Sequence, residues 1–117
     1  EQQQKQQRAS LAQVKRAAGS KSLQNLQDAI GTGWSGEELS YAGQEGKTVL
    51  HMAAWRGALE NVKFLVQVMN CDVNVVSKGE FSYGKTPIFF AATQSRRDVI
   101  EYLLEECNAK VTIVNNK

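Results

Sequence analysis

The sequence predicts an all-α fold made of repeated helix–turn–helix units, and three observations support this prediction. The 117 residues, of which 42% are hydrophobic and 22% charged, suit a single globular domain. The stretch 46–54 is repeated at 84–92, an offset of 38 residues. Apolar residues recur with the period of an amphipathic helix after each stretch. We therefore expect one repeat domain over residues 11–117, preceded by a polar, Gln-rich segment over residues 1–10.

The first helix of each unit is expected to begin just after a threonine. Thr48 and Thr86 precede the matching apolar stretches, and a threonine hydroxyl there can accept a hydrogen bond from a free amide of the first turn. Pro87 fits the first helical position, where its missing N–H has no helical partner to lose. These helices should end near Trp55 and Gln94. The second helices are predicted over residues 59–68 and 97–106.

A fainter copy lies upstream of these two. The pair Ala17-Ala18 aligns with Ala53-Ala54 at an offset of 36 residues, and an apolar pattern follows both pairs. Its first helix should run from about Leu11 to Ala18, and a more polar terminal unit is what a stack needs at its end. The predicted repeats are approximately 11–43, 44–81 and 82–117, with an extended loop between the second and the third.

These residues resemble the pattern of ankyrin repeats. In the central copy the matching residues are Gly46, Thr48, Leu50, His51, Ala53, Ala54, Gly57, Leu65, Asp72, Val73 and Asn74. In the third copy they are Gly84, Thr86, Pro87, Ile88, Ala91, Ala92, Leu103, Leu104 and Val111. The resemblance implies an all-α ankyrin-repeat solenoid. For His51 it implies a structural role, in which the ring braces a turn.

Departures from the family pattern affect what we expect of the structure. Phe89 replaces the histidine that usually ties neighbouring turns together, so we expect the loop before the third repeat to be less firmly held. Each second helix carries about one extra residue, near Met69 and Cys107, and the loop over residues 75–83 is long. Together these features explain the offset of 38 residues, where ankyrin repeats have about 33.

Two glycine motifs are formal matches to nucleotide-binding patterns. Residues 79–86 fit the phosphate-binding pattern G-x-x-x-x-G-K-[ST], and a strand-like stretch at 72–76 precedes them. The repeat itself accounts for Gly-Lys-Thr, because residues 46–48 read the same, so a nucleotide hydrolase is only a weak alternative. Residues 31–36 fit G-x-G-x-x-G, but a predicted helix precedes them where a dinucleotide fingerprint needs a strand. We interpret that motif as a loop, with Gly31 at a helix end.

Composition argues against several other classes of function. The single histidine, His51, excludes most metal sites built from imidazoles, and neither a metal nor a cofactor is expected. Cys71 and Cys107 are interpreted as free thiols, and so few cysteines favour a reducing, intracellular environment. No apolar run approaches the roughly 18 residues of a membrane span. Because the chain starts at Glu1 without methionine, we expect a fragment of a longer protein, monomeric by itself.

The ankyrin resemblance implies a partner protein or peptide on the concave face, which loop tips and first helices form in such stacks. Trp55 and Arg56 are the strongest candidates for partner contact, because tryptophan and arginine often dominate binding energy. The alternative for Trp55 is that it packs on the neighbouring first helix. The lysines and Arg56 would orient acidic groups of the partner, and no catalysis is expected. The predicted partner-binding residues are Glu45, Lys47, Trp55, Arg56, Phe81, Tyr83, Lys85, Thr93 and Gln94.

Binding of nucleic acid or of a nucleotide-derived ligand is the alternative from another class. The net charge is +2, but residues 1–21 carry five basic residues and Glu1 as their one acidic residue. That stretch, with Trp55 beside Arg56, would suit a polyanion, whose binding would weaken steeply with salt. The small net charge of the whole chain and the lack of aromatic residues in the basic stretch argue against this alternative.

Overall fold

Helices account for the regular structure of the described residues. The computed structural model describes residues 9–40, 46–78 and 84–106, and within these ranges it contains no β-strand. The helices are α1 (Leu11–Gly19), α2 (Leu23–Ile30), α3 (Gly36–Leu39), α4 (Val49–Arg56), α5 (Leu59–Gln67), α6 (Pro87–Thr93) and α7 (Arg97–Glu101), which continues as a π-helical segment over Tyr102–Glu106. The predicted all-α class is confirmed.

The helices pack in two layers. One layer consists of the first helices, in which α4 lies between α1 and α6. The other consists of the second helices, in which α5 contacts both α2 and α7. Tight turns join α1 to α2, α4 to α5 and α6 to α7, so each pair is a helix–turn–helix unit of the predicted kind. Fully buried side chains in the core include Val14, Leu26, Leu50, Val62, Leu65, Val99 and Leu103.

Side-chain caps explain where two of the first helices begin. The Ser10 hydroxyl accepts a hydrogen bond from the Gln13 amide, and the Gln13 side chain accepts one from the Ser10 amide. Thr48 and His51 form the same reciprocal pair at the start of α4. A cap of this kind contributes about 1 kcal/mol to helix stability. Pro87 occupies the first position of α6, as predicted.

The tight turns between paired helices share one backbone conformation. Gly57, which ends α4, has a φ of 75°, in the left-handed region. Lys21 and Ser95 occupy the equivalent positions of the other two units and have φ values of 68° and 56°. The turn geometry therefore repeats even where glycine, the residue that adopts it without strain, is absent.

The second helices end irregularly, as an extra residue requires. At the end of α5 the Met69 amide donates to the Phe64 carbonyl, and the Cys71 amide donates to the Leu65 carbonyl. Both bonds span more residues than an α-helical bond does. After α7 the chain widens into the π-helical segment, which accommodates one more residue per turn. Cys107, where the second extra residue was predicted, lies outside the described residues.

The stretch 72–76, which looks strand-like in the sequence, is a turn. The Asp72 side chain accepts a hydrogen bond from the Asn74 amide at 2.9 Å, and the Asp72 carbonyl accepts one from the Val75 amide at 3.3 Å. An aspartate that bonds to the backbone two residues later favours a turn over an extended strand. The strand-like pattern of this stretch therefore does not correspond to a strand, in agreement with the expected all-α class.

The α3 turn between α2 and α4 was not expected from the sequence. Ser35 and Glu38 form a capping box around it, which the Ser-x-x-Glu spacing would have signalled. Gly36, its first residue, lies directly against the Met69 carbonyl oxygen at the end of α5. A side chain at this position would collide with that backbone. The α3 turn thus ties the first unit to the end of the second unit.

The glycine motif at residues 31–36 is a loop, as interpreted. Gly31 caps the end of α2 with an ordinary φ of −63°. In the same loop the Trp34 indole N–H donates to the Ala9 carbonyl at 2.8 Å, and the Thr32 hydroxyl accepts from the Ala9 amide at 2.8 Å. The loop therefore holds the segment that leads into α1. Residues 1–8 of the Gln-rich segment lie outside the described residues.

Candidate functional site

His51 connects the second unit to the third. Its Nδ1 accepts hydrogen bonds from the Thr48 amide at 3.1 Å and from the Thr48 hydroxyl at 2.9 Å, and its Nε2 lies 2.8 Å from the Lys85 carbonyl oxygen. Because a carbonyl oxygen can only accept, Nε2 carries the proton and the ring is neutral. Burial of the ring lowers the pKa of His51 to about 4. With both nitrogens engaged, His51 is a structural brace and not a general base.

Hydrogen bonds fix the base of the loop that leads into α6. The Ser77 amide donates to the Lys85 carbonyl at 2.7 Å. The Lys78 amide donates at 2.8 Å to the carbonyl of Gly46, which lies in the corresponding turn of the second unit. The expectation that this loop is less firmly held is therefore wrong at its base. The histidine that ties it is His51 of the preceding unit, so the replacement of histidine in the third unit does not affect it.

The same hydrogen bonds bear on the phosphate-loop motif of residues 79–86. A phosphate-binding loop presents free backbone amides to its ligand. Here the Gly84 amide donates to the Ser77 carbonyl at 2.8 Å, and the Lys85 amide donates to the Ser77 hydroxyl at 3.2 Å. The Thr86 hydroxyl, which would have to reach a magnesium ion, is fully buried. The described part of the motif is therefore arranged to close a loop and not to hold a nucleotide.

The replacement of histidine by Phe89 acts within the third unit. Thr86 is fully buried, and its hydroxyl has no hydrogen-bond partner among the described residues. At the equivalent position of the second unit, the Thr48 hydroxyl bonds to His51. The Phe89 ring instead lies under the Lys85 ammonium, 4.8 Å from Nζ to the ring centroid. The third unit therefore lacks the brace that the second unit has.

An apolar notch opens on the solvent side of α4 and α6. It has a volume of about 570 Å³, and its lining residues are Lys47, Met52, Trp55 and Phe90. Trp55 remains 36% exposed, whereas Phe90 is 7% exposed and packs on the His51 ring at a centroid distance of 4.9 Å. Since His51 is fixed by its own hydrogen bonds, the inner wall of the notch is rigid. The notch belongs to the first-helix face, the solvent side of α1, α4 and α6 with the residues leading into them.

Contacts with both neighbouring units hold Trp55 and Arg56 in place. The Arg56 guanidinium lies 5.7 Å from the centroid of the Trp55 ring, within the range of a cation–π interaction. The aliphatic part of the Arg56 side chain packs against Gly19 at the end of α1. A Cβ added to Gly19 would lie 2.9 Å from the Arg56 Cγ, so only glycine leaves room for this contact. On the other side, Arg96 Nε donates to the Trp55 carbonyl at 3.0 Å. The pair is therefore ordered while part of the indole stays open to solvent.

The predicted site residues divide into three groups. Lys47 and Trp55 meet at the notch, with Arg56 beside it. Thr93 and Gln94 are exposed at the end of α6, where the Thr93 hydroxyl donates to the Phe90 carbonyl at 2.8 Å, and Lys85 leads into that helix. The others lie outside the described residues: Glu45, Phe81 and Tyr83. A binding role for any of these residues stays a prediction.

Met52 and Phe90 line the notch, and the sequence interpretation missed both. Each lies three residues before a predicted contact position, Trp55 on α4 and Thr93 on α6, so each shares a helix face with that position. This spacing was the available signal. It was hidden because methionine and phenylalanine in an apolar helix are more often core residues than contact residues.

The described residues contain no arrangement suited to metal binding. Within the described ranges, no group of three or more His, Cys, Asp or Glu side chains is placed to hold a metal ion. Cys71 is a buried free thiol. Burial, with the nearby Asp72 charge, raises the pKa of Cys71 to about 12, so the thiol is protonated and unreactive.

No helix in the described part of the chain is long and apolar enough to cross a membrane.

Comparison with known protein families matches nearly the whole helical array. A family profile described as ankyrin repeats in three copies covers residues 15–115. The chain belongs to the ankyrin-repeat family. The resemblance carried by the Gly-Thr turns and by the Ala-Ala pairs is therefore confirmed. Among proteins with curated descriptions, none matches the chain.

Solved structures agree with the ankyrin fold. One similar chain is in the structure of the predatory endopeptidase Bd0816 from Bdellovibrio bacteriovorus in complex with the immunity protein Bd3460, with a TM-score of 0.74 and 27% identity over 89% of this chain. Since the match covers 49% of that chain, the present chain spans about half the length of this neighbour. Another is in the crystal structure of the yeast ribosomal protein Rps3 in complex with its chaperone Yar1, with a TM-score of 0.71, 23% identity, and coverage of 83% of this chain and 67% of that one.

Proposed function

We propose that this ankyrin-repeat chain is a protein-binding module that recognises a partner protein or peptide through its first-helix face. The observation that carries the proposal is Trp55, which is 36% exposed at the edge of the notch. Burial of an aromatic side chain of this size in an interface contributes strongly to binding, and tryptophan and arginine are enriched among dominant contact residues. Arg56 and Trp55 are pre-ordered by their contacts, so little conformational entropy is lost when a partner binds.

The structural neighbours support this class of function. The neighbour with 27% identity comes from a complex between two proteins, an endopeptidase and its immunity protein. Ankyrin repeats are stacked units with an extended face, and such faces bind other macromolecules. We extend that property to the first-helix face of this chain, where the notch and the exposed aromatic residue lie together.

The nucleic-acid alternative has less support from the described residues. One of the basic residues in the stretch 1–21 is Lys15, which is only 5% exposed in α1. A buried lysine cannot contact a phosphate backbone. Of the described first-helix face, only Trp55 has a substantially exposed aromatic ring near a cation.

Site-specific photo-cross-linking tests the proposed function. A photoreactive phenylalanine analogue placed at position 55 should form covalent adducts with a protein in nuclease-treated lysate of the cells that produce this chain. The matched control is the same analogue at Val68, which is 60% exposed at the end of α5, on the other layer. The double variant Trp55→Ala, Arg56→Ala, checked for native helical content, should no longer compete for that adduct.

The outcomes separate three cases. An adduct that forms at position 55, is absent at position 68 and is competed by the unmodified chain supports protein binding on the first-helix face. Equal adducts at both positions would contradict the proposed location. An adduct that forms in untreated lysate but not in nuclease-treated lysate would instead support nucleic-acid binding.

A further inference from the structure

Charge is segregated between the two helical layers of the described structure. The first-helix face carries cations, namely Arg16, Lys47, Arg56 and Lys85. Every acidic residue of the described ranges lies outside the first helices: Asp28, Glu37, Glu38, Glu60, Asp72, Asp98, Glu101, Glu105 and Glu106. Five described cations also lie outside the first-helix face, but the nine carboxylates there outnumber them; these cations are Lys21, Lys63, Lys78, Arg96 and Arg97. The first-helix face therefore attracts anionic groups, while the second layer repels them.

The cations of this face are not neutralised within the described structure. Among the described residues, Lys47, Arg56 and Lys85 form no ion pair with a carboxylate. Arg56 and Lys85 each lie over an aromatic ring, at 5.7 Å and 4.8 Å from the centroid. A cation held on an aromatic ring keeps its donors available, so these side chains are positioned to meet a carboxylate from outside.

The notch lies between these cations. Arg56 leans over Gly19 towards α1, whereas Lys85 leads into α6 on the far side. The volume of about 570 Å³ falls within the roughly 300–1,000 Å³ of small-ligand sites, which is room for one large apolar side chain. Met52, Trp55 and Phe90 supply its apolar walls and Lys47 its polar rim. An apolar site between two cations suits a peptide that has one large apolar residue, here called the anchor, with an acidic residue on each side of it.

Helix spacing fixes where those acidic residues should lie. Neighbouring packed helices are about 8–10 Å apart, and an extended chain advances about 3.3 Å per residue. A peptide that runs from the edge of α1, where Arg56 lies against Gly19, across α4 to α6 therefore crosses two such spacings, which is about three residues on either side of an anchor at the notch. The expected pattern is an acidic residue, two of any type, a large apolar residue, two of any type and a second acidic residue.

The same observations disfavour a single-stranded nucleic acid as the occupant. Such ligands stack successive bases on successive aromatic rings. In the described part of the first-helix face Phe90 is 7% exposed and the Phe89 ring lies under Lys85, so Trp55 alone offers an open ring. The notch, in addition, is lined mainly by apolar side chains, which suit an aliphatic or aromatic protein side chain.

We propose that the first-helix face binds an extended acidic peptide segment whose large apolar side chain enters the notch between Arg56 and Lys85. This inference rests on the proposed function, since it names the chemistry of the partner at the same site. It adds a specificity rule, namely carboxylates about three residues to either side of the anchor.

Selection from a random 12-residue peptide library displayed on phage tests the rule directly. The enriched peptides should carry net negative charge and one large apolar residue with Asp or Glu near positions −3 and +3. A synthetic peptide of the consensus should lose at least tenfold in affinity on Lys85→Glu, and a similar factor when its anchor is replaced by Ala. Lys63→Glu on α5 changes the net charge by the same amount away from the site, and it should leave the affinity within about twofold.

Each other outcome overturns the inference. Enriched peptides without acidic bias, which still compete at position 55 in the cross-linking experiment, would remove the acidic rule and leave the proposed function intact. Equal losses on Lys85→Glu and Lys63→Glu would show that only overall charge matters. Displacement of the consensus peptide by equimolar 20-residue oligo(dT) would assign the face to nucleic acid. A library with no enriched peptide, combined with no adduct at position 55, would overturn both proposals.

Discussion

The imidazole Nε2 of His51 and the backbone carbonyl of Lys85 form a 2.8 Å hydrogen bond between residues 34 positions apart in the sequence. This bond crosses from the second ankyrin repeat to the loop before the third. On its other side the ring accepts two hydrogen bonds from Thr48, so one side chain secures a helix start and a neighbouring turn together. The ring also supports Phe90, an inner wall residue of the notch. The geometry of the candidate site thus depends on a neutral His51.

Acidification should therefore destabilise the chain over a defined pH range. The pKa of His51 is about 4 in the folded chain, below its ordinary value of 6.5, because burial disfavours the charged ring. The unfolded chain then binds more protons between these two values. Stability is fully present above pH 6.5 and is lost as pH falls towards 4, by up to about 3 kcal/mol. The urea midpoint should fall steadily when it is measured from pH 7 to pH 5.

His51 is the one histidine of the chain, which makes the control simple. In His51→Gln the urea midpoint should be lower at pH 7 but nearly independent of pH between 7 and 5. If the variant does not fold, the imidazole resonances of the native chain provide a second measurement, and they should titrate well below pH 6. A native chain with an unchanged midpoint over this range, or a ring that titrates near 6.5, would contradict the neutral brace.

Valine should destabilise the chain at Thr48 but not at the equivalent Thr86. Thr86→Val removes a buried hydroxyl that has no partner among the described residues, so it should be neutral or stabilise by about 1 kcal/mol. Thr48→Val removes a hydroxyl bonded to His51 and should cost about 1–2 kcal/mol. Urea unfolding of both variants at pH 7 checks this. Equal losses would mean that the Thr86 hydroxyl has a partner after all.

The tight turn of the third repeat offers a stabilising substitution. Ser95 has a φ of 56°, which disfavours any residue with a Cβ, and Ser95→Gly should raise stability by about 0.5 kcal/mol. Gln94→Gly is the matched control, because Gln94 has an ordinary φ of −110° and glycine there should cost a similar amount. Thermal unfolding of both variants gives the comparison. A loss of stability in Ser95→Gly would indicate that the serine side chain makes a contact that outweighs the backbone strain.

The sequence allowed the fold to be predicted because its signals are local and repeated. The Gly-Lys-Thr turns, the Ala-Ala pairs and the apolar period each occur in more than one copy, so an error in one copy is corrected by another. The features that were missed are not marked by such a repeated pattern. The α3 turn has no counterpart in the other repeats, and the π-helical segment after α7 depends on packing at the end of a helix.

The candidate site was predictable only in part, for a different reason. Trp55 and Arg56 could be identified because the fold does not require those residue types at their positions. Met52 could not be separated from core residues, since its exposure depends on how α4 and α6 pack. The effect of Phe89 was placed in the wrong loop because the sequence does not show which neighbouring turn a histidine ring reaches. Such relations become visible only when two repeats are placed side by side.

The contact between Gly36 and the Met69 carbonyl oxygen leads to the largest expected loss of stability. A Cβ at position 36 would occupy the same space as that oxygen. The clash would involve the backbone of Met69, which cannot rotate away as a flexible side chain would. Gly36→Ala should therefore cost about 2 kcal/mol or more in the free energy of unfolding, measured in urea at pH 7. Gly31→Ala is the matched control. Its Cβ would lie 3.1 Å from the Gln27 carbonyl oxygen at an ordinary φ of −63°, so its loss should be much smaller. If both variants lose the same amount, the α3 turn is not docked on α5 in solution, and the first repeat is held by the helix contacts alone.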